Sequence, residues 1–303
     1  MIGYICGYLR YYYPLEFITN ALNIFQNNEE KTASIVGYAK KHGIKIVPIK
    51  FRFSLRSYSF NKENNTIYKG ISSIKYMNKK IADELFELRD NRYNTFIDLL
   101  YDISDKTSMD MRQLKILIEL NYFSEFGDID YLLELTRLYK KLSGKKQLKK
   151  ETAIKIGVKE NDIIECCENV TEKTYSKLDS KKLLHRLAGS IHVKKRSLKE
   201  MIQSQIEYLG YIDIADEQYK RMLVVLSMNT KYSPRLECYS LKNGTTIHCK
   251  ISKRIFNENK IKKSDIIKVK EYKIKEKIKR TAEGDFVNIP GTSEIWLTDY
   301  EKM

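Results

Sequence analysis

The spacing of apolar residues changes near residue 220 from the helical period to the strand period, and this change limits the folds that the chain can adopt. Before it, apolar residues recur three and four positions apart, as Leu15, Ile18 and Leu22 do. After it, apolar and polar residues alternate over short stretches. The sequence therefore predicts an α+β fold in which a mostly helical N-terminal region precedes a small C-terminal β-barrel.

The helical region can be divided into elements from these spacings. Helices are expected over residues 29–42, 79–90, 93–103, 109–121 and 129–143. A short strand is expected over residues 44–48 and a β-hairpin over residues 57–69. The apolar, Tyr-rich start of the chain is interpreted as a core helix, and residues 145–200 as a strongly basic helical stretch. Three domains follow: residues 1–145, a helical connector over 146–212, and the barrel over 213–303.

The dipeptide Asn243-Gly244 predicts a β-hairpin, because these residue types adopt the positive φ angles of a two-residue type I′ turn. The register that follows pairs Leu236 with Ile251, Cys238 with Cys249, Glu237 with Lys250, and Tyr239 with His248. The two thiols are therefore expected to be buried neighbours rather than half of a metal site.

A second pattern indicates how the barrel bends. Ile267 and Val269 alternate with lysines, and the alternation resumes one position late at Tyr272 and Ile274. Such a slip at Lys270-Glu271 indicates a β-bulge. Several short, bent strands favour a barrel of the oligonucleotide/oligosaccharide-binding (OB) type, and an SH3-like barrel is the alternative.

Charge is the first indication of function. The chain has 55 Lys and Arg against 39 Asp and Glu, for a formal net charge of +16. An excess of this size favours polyanions such as nucleic acid. The alternative is a lysine-rich genome that spreads lysine over every surface.

Cysteine and histidine usage favours a protein of the reducing cytoplasm. The five cysteines are odd in number and form no CxxC pair, so neither a disulfide framework nor a zinc ribbon is indicated. The four histidines are not at ligand spacing from them, so no metal or cofactor site is expected. No apolar run reaches about 18 residues, and no leader or membrane partner is expected.

Several short segments resemble, in order, the alpha subunit of the bacterial C-family replicative DNA polymerase. The family has a Tyr-rich helix before its late fingers region, and Gly7 to Phe17 is similar to it. The strand segment Lys41 to Pro48 and the segment Tyr68 to Lys75 match the approach to a helix-hairpin-helix element in the family. Leu117 to Gly127 and Gln205 to Ile212 match two later segments, the second of which precedes an OB domain.

The resemblance implies a helix-hairpin-helix element over about residues 66–92 that contacts DNA. Its candidate contacts are Lys75, Asn78, Lys79, Lys80, Arg89 and Arg92; ordinary helix-surface charge is the alternative. In the family the hairpin carries Gly-x-Gly, which lets backbone N–H groups approach a phosphate. Here Tyr76 and Asn78 occupy those positions. Asn tolerates the left-handed conformation, whereas Tyr76 would crowd a phosphate.

The barrel contributes a second candidate DNA surface, because Lys250 to Arg280 contains thirteen Lys or Arg against four acids. The candidate contacts are Tyr232, Arg235, Tyr239, Lys250, Lys253, Arg254, Lys268, Lys270, Tyr272, Lys273 and Lys275. Cations alternating with aromatic residues on a strand suit a single-stranded backbone and its bases. The alternative is an edge strand charged against aggregation.

No catalytic residue is predicted. In the family the palm, with its metal-binding aspartates, lies upstream of the segments that match here, so Mg²⁺ is expected only for that palm. The only Asp-x-Asp is Asp128-Ile129-Asp130, which is interpreted as a helix N-cap with an acidic first turn.

The sequence therefore predicts a non-catalytic, DNA-binding C-terminal portion of a polymerase III alpha subunit. Its expected partners are single-stranded or primed DNA and an upstream polymerase polypeptide or other replisome proteins. The alternatives are a stand-alone adaptor or decoy derived from a polymerase module, and an intact polymerase with a catalytic pocket that the sequence does not reveal.

Overall fold

The computed structural model describes residues 1–280 and 285–303. The helices are α1 (Ile2–Tyr12), α2 (Pro14–Phe25), α3 (Glu29–Lys41), α4 (Lys79–Leu88), α5 (Phe96–Lys106), α6 (Met111–Glu119), α7 (Ile129–Leu142), α8 (Lys150–Ile156), α9 (Glu160–Ile164), α10 (Ser180–Ala188), α11 (Leu198–Leu209) and α12 (Lys253–Glu258). The strands are β1 (Lys45–Val47), β2 (Ser59–Asn61), β3 (Thr66–Tyr68), β4 (Gln147–Lys149), β5 (Cys167–Val170), β6 (Thr174–Leu178), β7 (Met222–Asn229), β8 (Arg235–Ser240), β9 (Thr246–Ile251), β10 (Ile266–Arg280) and β11 (Phe286–Lys302).

The chain forms two compact units that are discontinuous in sequence. Unit 1 contains residues 1–27 and 47–209, and unit 2 contains residues 28–46 and 210–303. Unit 1 is mostly helical and unit 2 is built on a β-barrel, so the predicted α+β fold is confirmed.

Unit 1 is organised around one apolar core. Amphipathic helices α4 to α7 bury Leu85, Leu100, Leu117 and Leu135 in it. Capping side chains set several helix starts: Asp110 and Gln113 form a reciprocal capping box at α6. Ser197 and Glu200 make the same exchange at the start of α11.

The prediction that residues 145–200 are helical is wrong for three short segments, which form strands β4, β5 and β6. These form a sheet in the order β4-β6-β5, in which Leu148 is opposite Tyr175. Both side chains are buried in the core of unit 1. Cys167 therefore begins β5 and Cys166 lies in the turn before it, so neither is on a helix. The pairing of β4 with β6 joins residues 25 to 29 positions apart, so local spacing could not indicate it.

The prediction of a core helix at the start of the chain is also wrong. Among the described residues, α1 contains no buried side chain, and Tyr4 and Tyr11 are 80% and 78% exposed. Apolar composition predicts burial only where a second surface is present to cover the helix.

Unit 2 contains a closed five-stranded barrel in the order β10-β11-β9-β8-β7, which the pairing of β7 with β10 completes. The β9 and β11 strands are parallel and the other pairs are antiparallel. Helix α12 connects the third strand of the barrel to the fourth. A five-stranded barrel of this kind is OB-like, as predicted.

The hairpin between β8 and β9 is present, but its predicted register is wrong by two residues. Leu236 lies opposite Cys249, and Cys238 opposite Ile247. Only Gly244 of the turn has a positive φ, and its N–H donates to the Ser240 carbonyl. The Asn243 side chain accepts from the Thr245 N–H, so the turn is longer than a type I′ turn.

Cys238 and Cys249 are nevertheless buried neighbours, with their Sγ atoms 3.9 Å apart. Their mutual hydrogen bond, together with burial, raises the pKa of the Cys238 thiol. We expect both thiols to be unreactive toward Ellman's reagent at pH 8 until the barrel unfolds, because both are buried and the raised pKa of Cys238 disfavours its reactive thiolate form. Exposed Cys6 is the internal positive control in the same assay. Rapid labelling of Cys238 in the folded chain would contradict the burial.

Among the described residues, no helix is both long enough and apolar enough to cross a lipid bilayer.

Candidate nucleic-acid interface

The outer surface of the barrel gathers cations around the single tryptophan of the chain. In the strand registers, Trp296 of β11 is opposite Lys273 on one side and Lys250 on the other, and Lys250 is opposite Arg235. Side chains opposite one another in a sheet lie on the same face. We call this surface the Trp296 face, and it consists of Arg235, Lys250, Lys273, Lys275, Glu294 and Trp296.

The charges of this face are arranged around the indole ring. The Lys250 and Lys275 ammonium groups lie 5.4 Å and 5.0 Å from the ring centroid. The indole N–H donates to Glu294 Oε1 at 2.8 Å, and Lys250 forms an ion pair with the same carboxylate. Burial opposes ionisation of Glu294, but the hydrogen bonds from Lys250 and Trp296 outweigh it and lower the pKa of that carboxyl. Glu294 thus orients the ring and one cation, while Lys273 and Lys275 remain exposed.

The predicted bulge is present, and it extends the face along β10. The pairing of β10 with β11 shifts register around Glu271. Lys268 and Lys270 alternate with buried Ile267 and Val269 and therefore point outward. In a regular strand, side chains 270 and 273 would point to opposite faces of the sheet. The extra residue of the bulge shifts the alternation by one position, so that the Lys273 side chain points outward as the Lys270 side chain does. Lys268, Lys270, Lys273 and Lys275 therefore form one lysine row on the outside of the barrel.

A groove of about 830 Å³ lies beside this face, between the β8–β9 hairpin and the β10–β11 ribbon. Its lining includes Asn229, Arg235, His248, Lys277, Lys279 and Glu294. The pairing of β10 with β11 extends well beyond their contacts with β7 and β9, so the ribbon forms one wall. Such a groove with cations and an aromatic ring at its edge can accommodate a phosphate backbone and stacked bases.

The remaining predicted barrel contacts are dispersed. Tyr232 is 69% exposed in the loop between β7 and β8. Lys253 and Arg254 are exposed on α12. Tyr272 is exposed but lies opposite Leu297, so it faces away from Trp296.

The prediction that Tyr239 is a stacking platform is wrong. Its ring is buried, and its hydroxyl accepts a hydrogen bond from Lys40 Nζ of α3 at 3.2 Å. Burial raises the pKa of this phenol. Tyr239 lies on the outer side of β8, where Lys40 of α3 contacts its hydroxyl and its ring, and the sequence could not show this contact.

In unit 1, the helix-hairpin-helix region has an unexpected turn. The turn runs from Ile74 to Asn78, directly before α4. Asn78 has a φ of −114° and caps α4, where its Oδ1 accepts from the Ile81 N–H at 2.9 Å. Tyr76 instead takes the left-handed conformation, with a φ of +68°.

The predicted cations of this region divide into two groups. Lys75 lies in the turn, and Lys79 and Lys80 are exposed in the first turn of α4. Arg89 and Arg92 follow the other end of this ten-residue helix, about 15 Å away. Arg89 packs on the Phe86 ring at 3.5 Å and pairs with Asp90. Arg112 of α6, which the sequence analysis missed, lies against the Tyr76 ring and joins the first group.

Asp128 and Asp130 begin α7 as predicted, although the Asp128 side chain makes no capping hydrogen bond. Asp128 pairs with Lys195, and Asp130 with Arg196 at 3.0 Å. Among the described residues, no group of three His, Cys, Asp or Glu side chains is arranged to hold a metal ion.

Comparison with known proteins supports the resemblance. The helix-hairpin-helix motif family matches residues 43–129, which contain the turn at Tyr76 and helices α4 to α6. This chain resembles DNA polymerase III alpha subunits. It is 32% identical over 130 residues to the "DNA polymerase III subunit alpha" of Campylobacter jejuni, 28% over 148 residues to that of Bacillus subtilis, and 32% over 130 residues to that of Staphylococcus aureus.

These matches cover 42% to 46% of this chain but only 11% to 13% of the polymerase subunits. The matching part of the chain therefore spans only about an eighth of the length of these relatives. The family resemblance is confirmed for that part.

Several residues of the candidate sites escaped the sequence analysis. Trp296 joins the barrel surface through its contacts with Lys250 and Glu294. The groove lining adds Glu294, His248, Lys277 and Lys279, and Arg112 and Gln113 contact the Tyr76 turn. The lone Trp at an outward position of a strand was the one available signal. The others are brought into place by pairings between distant segments.

Proposed function

We propose that this chain binds single-stranded DNA in DNA replication, as a non-catalytic, DNA-contacting C-terminal part of a polymerase III alpha subunit. The observation that carries the proposal is the lysine row on β10 beside Trp296 and the groove. Lysines placed along one face can follow a phosphate backbone, while an aromatic ring stacks on a base without regard to sequence. The similarity to polymerase III alpha subunits and the helix-hairpin-helix match support replication as the process.

The partners follow from this assignment. Single-stranded or primed template DNA is the ligand, and a polymerase polypeptide carrying the palm supplies Mg²⁺-dependent bond formation. Replication in a bacterium places the chain in the cytoplasm, where its cysteines stay reduced.

The intrinsic fluorescence of Trp296 provides the test, because the chain contains one Trp. We expect an oligonucleotide of about 20 bases, longer than one OB site, to quench this fluorescence in a salt-sensitive titration. Trp296→Ala should weaken binding about tenfold in an anisotropy assay, because one stacked base contributes roughly 1–3 kcal/mol. Trp296→Phe keeps an aromatic ring and serves as the matched control. Absence of quenching together with absence of anisotropy change would refute the proposed function.

An adaptor that engages replication proteins is the second candidate, and exposed α1 favours it. Its tyrosines and aliphatic side chains form an uncovered apolar surface, which is typical of a protein contact. Tight binding to a polymerase fragment combined with negligible DNA affinity would favour this candidate.

A further inference from the structure

The turn at Tyr76 has a conformation that its side chain disfavours. Its φ of +68° lies in the left-handed region, where a bulky side chain crowds the backbone and glycine is preferred. The side chain is nevertheless 52% exposed, so packing in a core does not account for a Tyr here. Strained residues of this kind persist where the surrounding structure holds them, and they concentrate at functional sites.

Contacts within unit 1 hold the turn on every side. The Met77 N–H donates to the Ile74 carbonyl at 3.2 Å, and the Lys75 N–H donates to the Tyr208 carbonyl at 3.0 Å. Gln113 Nε2 donates to the Tyr76 carbonyl at 2.9 Å. The Arg112 guanidinium lies 4.1 Å from the Tyr76 ring centroid. The ring thus projects from a hydrogen-bonded turn and lies against a cation.

This arrangement is unsuited to holding a phosphate by backbone amides. Two of the N–H groups in the turn are already bonded to carbonyls of the chain. Tyr76 also carries a bulky ring at a position where a phosphate-binding turn favours glycine. A ring with Arg112 against it and half of its surface exposed can instead stack on a nucleobase.

We propose that Tyr76 stacks on an unpaired base, so that the helix-hairpin-helix turn recognises a single strand or the frayed end of a duplex rather than a duplex backbone. Lys79 and Lys80, exposed at the start of α4, would contact the adjoining phosphates. This inference rests on the proposed function only in requiring that the chain binds DNA. It assigns the hairpin contact with a base by stacking, whereas a glycine turn contacts a phosphate through backbone N–H groups.

The test uses the full chain and primed DNA with 2-aminopurine at the first unpaired template base. We expect the wild-type chain to quench the 2-aminopurine fluorescence, because stacking on an aromatic ring quenches this base. Tyr76→Gly should lose this quenching and bind the primed end about tenfold more weakly, the loss of one stacked base. Tyr76→Phe should retain both. Trp296 fluorescence in the same titration reports binding at the barrel and should be unaffected by either change.

The Gly variant should be at least as resistant to thermal unfolding as the wild type, because glycine relieves the left-handed strain. Tyr76→Asn, which also tolerates this conformation, is the second ring-removing variant. Retained 2-aminopurine quenching in both variants, with Trp296 quenching intact, would overturn the inference and leave the proposed function standing. A wild-type chain that binds no DNA by either signal would overturn the proposed function itself.

Discussion

Reversal of the lysine row, Lys268, Lys270, Lys273 and Lys275 to Glu, is expected to remove most of the affinity for single-stranded DNA. Each lysine that contacts a phosphate releases a counterion from the strand, and this release drives binding. Loss of four such contacts should reduce the dependence of log K on log salt by about 3 and weaken binding at least about 100-fold at roughly 0.1 M salt. Fluorescence anisotropy over a series of salt concentrations measures both quantities.

The control for this variant is an equal charge change elsewhere. Lys145, Lys146, Lys155 and Lys159 are exposed in unit 1, and their reversal to Glu should weaken binding only through net charge. Because Lys270 pairs with Glu301 at 3.5 Å, reversal could also disturb the barrel. The four Lys→Gln changes avoid repulsion with Glu301 and should show the same reduction in salt dependence. A Gln variant with the affinity of the wild type and the same dependence of log K on log salt would show that the lysine row is only a solvated surface.

Gly70→Ala is expected to destabilise unit 1 by about 3 kcal/mol, because the site has no room for a methyl group. A Cβ on Gly70 would lie 2.4 Å from the Ser57 carbonyl carbon and 2.7 Å from the Arg56 oxygen. Both are backbone atoms, and the loop that contains them cannot move away cheaply because the Ile71 and Ser72 N–H groups donate hydrogen bonds to the Leu55 and Arg56 carbonyls. The midpoint of thermal unfolding of unit 1 should fall by roughly 10 °C.

Gly7→Ala is the matched control within unit 1. Gly7 lies inside α1 with no atom within 4 Å of an added Cβ, so alanine should raise helix stability by a few tenths of a kcal/mol to about 1 kcal/mol. If Gly70→Ala melted at the same temperature as Gly7→Ala, the close approach of the two backbone segments at Gly70 would be wrong.

Much of the fold followed from local patterns in the sequence. The helices over 79–88, 111–119 and 129–142 lie within the predicted ranges, because amphipathic spacing and capping residues act over a few positions. The barrel and its bulge followed from alternation and from the single slip at Lys270-Glu271. The candidate site was predicted in part: the lysine row was anticipated, and its alignment with Trp296 was not.

The failures involve contacts between distant residues. Three features depend on contacts between segments that are distant in the sequence. They are the β4-β6-β5 sheet, the contact of Lys40 in α3 with buried Tyr239, and the exposure of α1. The hairpin register failed for a local reason, because the Asn243 side chain bonds to Thr245 and supports a longer turn.

The sequence by itself determined the class of fold, the strong positive charge and the resemblance to polymerase III alpha subunits, because each depends on composition or on spacing along the chain. Only the tertiary structure decided which cations share a face, which tyrosine is buried, and that Tyr76 rather than Asn78 takes the left-handed turn. The physical reason is that burial, electrostatic pairing and backbone strain arise between residues far apart in sequence, such as Tyr76 with Arg112 and Lys250 with Trp296.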